Sequence, residues 1–149
     1  MPHVMIVVSP YYKDVSAHLL DGALAYLKEK RATSEVFEIT GALEIPMAIK
    51  YGALRKEGRG SENRKFDAYI ALGCVIRGET SHYDIVCNES AAGLSRLALD
   101  HNLPIGNGIL TCDTLDQAMV RAEPMQKNKG ADAAQAALAL FELSCKLRR

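Results

Sequence analysis

The chain has 149 residues, 48% apolar and 24% charged, with 18 basic side chains balanced by 18 acidic ones. That length fits one domain, residues 1–149, and the apolar share is enough to bury a core, which argues against a disordered chain. Zero net charge removes the electrostatic footprint of a nucleic-acid or anionic-membrane binder, and no apolar run reaches the roughly 18 residues of a membrane-spanning helix.

Val4 to Ser9 is a short apolar run rich in β-branched residues and predicts a buried strand. No basic leader precedes it, which argues against a signal peptide. A helical stripe of Val15, Leu19, Leu20, Ala23 and Leu27 follows, with Asp14 or Ser16 as candidate caps. Ser34 to Ile39 predicts a second strand. Ile45, Ala48, Ile49, Gly52 and Ala53 then recur at helical spacing, with Pro46 in the first turn. Gly58 to Lys65 is polar and contains glycine, and reads as an exposed loop. Ala68 to Val75 predicts the third strand. Tyr83 to Asp100 predicts a helix, with Ser81 and Asp84 at capping-box spacing. Ile105 to Leu110 predicts a fourth strand, interrupted by Gly106 and Gly108. Thr114 and Gln117 repeat the capping-box spacing before a helix through Val120, which stops in the polar stretch Arg121 to Lys127. Lys129 to Leu147 predicts a long closing helix.

Strands alternating with helices imply parallel pairing and right-handed crossovers, hence a three-layer α/β/α sandwich around a four-stranded parallel sheet. Ligands of such sheets bind outside the carboxyl ends of the strands. Four polar clusters fall at those ends: Ser9 to Lys13, Thr40 to Glu44, Arg77 to His82, and Thr111 to Asp113. The third is the sharpest. Gly78 permits close backbone approach, Thr80 and Ser81 stand at a helix N-terminus suited to an anion, and His82 can take and return a proton near neutral pH. Spacing alone also fits an ordinary cap with a surface histidine. Tyr11 and Tyr12 fit either stacking on a flat heterocycle or packing on a helix. Glu44, Arg121 and Lys129 alone read as solvated charges, as do His3, His18 and His101. Met47, Met119 and Met125 read as gap-fillers or interface contacts. Dinucleotide and P-loop glycine patterns are absent from the sequence. Cys74, Cys87, Cys112 and Cys145 form no C-x-x-C pair or zinc-type cluster, so a reduced, cytoplasmic protein is expected.

Three strings carry more than spacing. Gly41-Ala42-Leu43-Glu44-Ile45-Pro46, the run Gly73-Cys74-Val75-Ile76-Arg77-Gly78-Glu79-Thr80-Ser81-His82-Tyr83-Asp84, and Asn128-Lys129-Gly130 together resemble the lumazine synthase family. The resemblance spans nearly the whole chain in order. It implies a flavodoxin-like fold and the condensation of 5-amino-6-(D-ribitylamino)uracil with 3,4-dihydroxy-2-butanone 4-phosphate, without metal or organic cofactor. By the same resemblance, Tyr11 stacks on the pyrimidine, and Ala42, Leu43 and Glu44 bind the ribityl chain. Cys74, Val75 and Ile76 line the ring pocket. Glu79 and Thr80 take the phosphate-loop positions, His82 transfers protons, Arg121 binds phosphate, and Lys129 lies near the ribityl and pyrimidine end. The family's site lies between neighbouring subunits of a pentamer, so Asn107, Arg121 and Lys129 are expected from the adjacent chain. Decamers and icosahedral shells also occur in the family, and the short N-terminus here favours a free pentamer or a pair of them.

Two departures bear on the ring pocket. Pro10-Tyr11-Tyr12 keeps the family's aromatic after the first strand but lacks its arginine, and Asn107 replaces a common aromatic. They leave one alternative, a non-catalytic paralogue that holds flavin or lumazine.

Overall fold

A computed structural model describes residues 1–55 and 64–148. Its elements run in chain order as strand β1 (His3–Val8), helix α1 (Lys13–Glu29), β2 (Thr33–Glu38), a single 3-10 turn (Ala42–Glu44), α2 (Ile45–Leu54), β3 (Ala68–Ile76), α3 (His82–His101), β4 (Ile105–Cys112), α4 (Leu115–Ala122) and α5 (Lys129–Leu147). The sheet has the order β2-β1-β3-β4, and each neighbouring pair is parallel. This is the expected three-layer α/β/α arrangement of flavodoxin type.

The central strands read as unbroken apolar runs because both their faces are covered. Val4, Ile6, Val8, Ile70 and Leu72 face one layer, where they meet Val15, Leu19, Ala23 and Leu27 of α1 and Ala134, Ala137 and Leu138 of α5. Met5, Val7, Tyr69 and Ala71 face the other, against Ile45 and Ile49 of α2 and Val86, Leu94 and Leu97 of α3. Each fully buried leucine or isoleucine contributes about 1.5–3 kcal/mol by leaving water. Helix α5 lies close against both β4 and α1. A Cβ on Gly106 would overlap the Ala133 carbonyl, and one on Gly130 would overlap the Leu19 carbonyl. Gly106 and Gly108 therefore do not interrupt β4; they let α5 lie against it.

Several boundaries and caps differ from the expectations. β1 and β2 each begin one residue early, although Ser9 still donates its backbone N–H to Leu72 across the sheet (2.9 Å). β4 runs two residues past Leu110, because Val75 and Ile76 continue to pair with Thr111 and Cys112. α4 extends to Ala122, which puts Arg121 in its last turn. Neither Asp14 nor Ser16 caps α1. Tyr12 is its N-cap residue without a side-chain bond, and Ser16 donates its hydroxyl to the Tyr12 carbonyl (3.0 Å). The Ser81–Asp84 capping box does not form, whereas the Thr114–Gln117 box is complete.

Most of the expected loop Gly58 to Lys65 lies outside the described residues. Of its described part, Lys65 pairs with Glu35 (3.0 Å) and Arg64 donates to the His101 carbonyl (2.8 Å). His3 is not a free surface histidine. Its Nδ1 lies 2.7 Å from Thr33 Oγ1 and its Nε2 3.1 Å from Glu35, and its ring stacks on Phe66. Among the described residues, no helix is long and apolar enough to cross a membrane.

Candidate active site

Because the strands are parallel, their carboxyl ends share one edge of the sheet, and three of the four polar clusters meet there. Ser9, Tyr11 and Tyr12 after β1, Thr40 to Glu44 after β2, and Cys74, Val75, Ile76, Gly78, Thr80 and His82 at and after the end of β3 line one open cleft of about 410 Å³. Of the residues singled out in the sequence, the cleft brings together Tyr11, Ala42, Leu43, Glu44, Cys74, Val75, Ile76, Thr80 and His82. Glu79 lies in the same turn but does not line it. Tyr83 and Val86 line the cleft as well and were not anticipated. The signal was present: Val86 lies one helical turn beyond His82 and shares its face.

The floor of the cleft is apolar and neutral. Cys74 ends the buried run of β3, and burial pushes its thiol up to about 12, so it stays protonated and unreactive at neutral pH. Burial also raises Tyr12 and Tyr83 above the ordinary tyrosine value. Ser9 is buried and donates its hydroxyl to the Thr40 carbonyl (3.2 Å), which joins the first two strand ends. The two tyrosines separate in role. Tyr12 packs on the α1 core, while Tyr11 is 74% exposed and crosses Tyr12 edge-on at 4.9 Å. An aromatic face is thus held at the mouth by its neighbour rather than by the core.

The start of α3 forms one wall. Its N-cap residue Ser81 is already helical (φ −73°, ψ −1°) and gives no side-chain bond to the first turn. Only Thr80 Oγ1 accepts weakly from the His82 backbone (3.4 Å). A helix start without a side-chain cap offers its N–H groups and positive dipole end to an outside anion. His82 is the first residue of that helix and is exposed on the cleft.

The fourth cluster does not line this cleft, although its Asp113 accepts from Arg77 Nε (2.9 Å). Asn107, Ile109 and Thr111 of β4 line a second cavity of about 350 Å³ with Arg121 of α4 and Lys129 of α5. Asn107 turns its carbonyl oxygen back to accept from the Ile109 backbone (2.9 Å), leaving its amide NH₂ for another acceptor. Arg121 donates to the Gln117 carbonyl of its own helix (3.0 Å), and Lys129 pairs with Asp132 (3.1 Å). The two cavities share no lining residue. One offers an apolar floor, Glu44, a histidine and a helix start without a side-chain cap; the other offers Arg121, the Lys129–Asp132 pair and an amide.

The chain is similar throughout to one group of proteins. The family model for 6,7-dimethyl-8-ribityllumazine synthase matches residues 2–144. A 6,7-dimethyl-8-ribityllumazine synthase of Agrobacterium fabrum is 47% identical over 146 residues, covering 98% of this chain and 97% of its own. Another from Methylocella silvestris is 49% identical over 142 residues, covering 95% and 85%. A third from Rhodopseudomonas palustris, 6,7-dimethyl-8-ribityllumazine synthase 1, is 46% identical and covers 98% and 88%. A match of that extent, on a chain whose strand-end residues form the cleft just described, places this protein in the 6,7-dimethyl-8-ribityllumazine synthase family.

Proposed function

We infer that the protein condenses 5-amino-6-(D-ribitylamino)uracil with 3,4-dihydroxy-2-butanone 4-phosphate, yielding 6,7-dimethyl-8-ribityllumazine with loss of phosphate and water, a step of riboflavin biosynthesis. The observation that carries the reading is the division of the site residues between two cavities of one chain, each chemically incomplete. Residues 1–149 act as one domain in a homopentamer, and the cavity of β4, α4 and α5 faces the cleft of the next subunit. Asn107, Arg121 and Lys129 then complete a site whose other half holds Tyr11, Ala42, Leu43, Glu44, Cys74, Val75, Ile76, Glu79, Thr80 and His82. The four cysteines are free, which fits a reducing compartment, the cytoplasm.

Each half supplies what the reaction needs. Attack of an amine on a ketone requires a proton to leave nitrogen and another to reach oxygen, and His82 performs both transfers. Phosphate departs as a dianion. The open start of α3 with Thr80 and the Arg121 guanidinium of the neighbour cradle it through charge-assisted hydrogen bonds. Tyr11 and the apolar floor at Cys74, Val75 and Ile76 hold the flat pyrimidine, and Glu44 and Lys129 hold the polar ribityl chain. Holding two substrates in contact supplies much of the acceleration.

The test mixes the two substrates with purified protein and follows lumazine fluorescence and free phosphate together. One lumazine per phosphate, well above the protein-free rate, is expected. Tight binding of lumazine or flavin without turnover would replace the enzyme with a binder. The shared site has its own test. His82→Ala and Arg121→Ala protomers are dissociated, mixed and reassembled. If the halves come from adjacent chains, about one quarter of the sites recover both wild-type residues; a site within one chain recovers none.

A further inference from the structure

The turn that presents His82 has little to hold it. A Cβ built on Gly78 would meet nothing within 4 Å, Ser81 gives no cap, and residues 78–82 are exposed. One side chain reaches out of this turn to fixed structure on both sides, and it is Arg77. Its backbone N–H extends the sheet by donating to the Cys112 carbonyl (2.9 Å). Its Nε donates to Asp113 Oδ1 (2.9 Å), its Nη1 lies 3.8 Å from Asp84 Oδ1, and its guanidinium sits 4.3 Å from the centre of the Tyr83 ring. Tyr83 and Asp84 directly follow His82 in the first turn of α3. Asp113 precedes α4, and its N–H is fixed by the Gln117 side chain (2.9 Å) within the capping box of that helix.

We propose that Arg77 is a positioning residue for the reaction, clamping the first turn of α3, and with it His82, to the rigid corner between β4 and α4. The inference rests on the reading of His82 given above. A guanidinium suits the task because it is planar: it stacks on an aromatic face while its edge forks to two carboxylates, which an ammonium cannot do. Half-exposed ion pairs contribute little to stability, so the value of this one is geometric. The arrangement leaves the Tyr83 N–H without a partner among the described residues and the His82 N–H only weakly held by Thr80 (3.4 Å), while still fixing where they point. A side-chain cap would fix the turn by occupying those groups.

The test compares steady-state kinetics of the assembled full-length protein with Arg77→Met, Arg77→Lys, Asp113→Ala and the Arg77→Met/Asp113→Ala double variant. Arg77→Met is expected to lower kcat by roughly 10- to 10²-fold, the scale of a small misplacement, with the KM of both substrates near wild type. Arg77→Lys recovers part of the loss. The double variant falls no further than Arg77→Met, because both substitutions cut one linkage. Amide exchange at Asp84 and Ile85, whose N–H groups donate to the Ser81 carbonyl (3.1 and 3.3 Å), becomes roughly tenfold faster in Arg77→Met, a readout independent of turnover. Unchanged kcat in an active protein, a loss carried by KM, losses that multiply in the double variant, or unchanged exchange at Asp84 and Ile85 would each overturn the proposal. Absence of lumazine with the wild-type protein overturns the assigned reaction instead, and the exchange measurement still decides the clamp.

Discussion

Helices α3 and α4 both begin at the carboxyl edge of the sheet, each after a strand and a short turn, with a hydroxyl residue three positions before a second polar one. Thr114 approaches α4 in extended backbone (φ −133°, ψ 157°), accepts from the Gln117 N–H (3.2 Å) and donates its own N–H to the Gln117 side chain (3.3 Å). Ser81 approaches α3 with its backbone already helical; its carbonyl accepts from the Asp84 and Ile85 N–H groups (3.1 and 3.3 Å), but its side chain bonds to nothing in the first turn. The contrast matches the roles proposed for the two helices. In that reading α4 supplies Arg121 from its last turn, so its first turn is free to be satisfied internally. The proposed ligand of α3 meets its first turn itself, and a side-chain cap there would compete for the same N–H groups.

Substitutions at the two helix starts sharpen this difference. The largest effect is expected at His82: His82→Ala lowers kcat by roughly 10²- to 10⁴-fold, the range of a lost general acid–base. An unchanged rate would remove the histidine from the chemistry. Arg121→Ala should raise the KM of the butanone phosphate by roughly 10- to 10²-fold, the worth of a charged hydrogen-bond donor, and that of the pyrimidine much less. Equal rises would detach Arg121 from the phosphate. Smaller still, Thr114→Ala is expected to lower unfolding stability by about 1 kcal/mol through loss of its cap, read as a shift in urea midpoint. Ser81→Ala should leave that midpoint within about 0.5 kcal/mol of wild type. If the two alanines cost the same, the asymmetry between the helix starts is not energetic.

The same pair shows where sequence stops being informative. Both stretches present capping-box spacing, and only the backbone angle of the first residue separates them, which the residue types do not specify. The order of strands and helices was legible because the apolar runs and stripes are long, and α5 was legible to its ends. The one-turn helix at Ala42 to Glu44 has no period to read. β4 was cut short at Thr111 because a threonine ends an apolar run, yet the strand continues: Cys112 alternates back into the core, and β3 supplies pairing partners. For the site, parallel topology made the shared edge of the clusters predictable. The separation of Asn107, Arg121 and Lys129 from the cleft rests on strand order and on the face each side chain takes, and the local pattern carries neither. The resemblance to the family anticipated that separation; spacing did not.

The strand order also bears on how the sheet is assembled. β1 lies at its centre, flanked by β2 and β3, yet these neighbours are unequally distant along the chain: 30 residues separate His3 from its contact at Thr33, and 64 separate it from Asp67. Loop-closure entropy favours the nearer partner, so β1 joins β2 first. During synthesis β2 also emerges before β3. The finished core strand therefore spends part of its history as an edge, apolar on both faces with one row of N–H and C=O groups unpaired. That interval is when the nascent chain is most exposed to mispairing with another copy of itself, and the arrival of Ala68–Ile76 ends it.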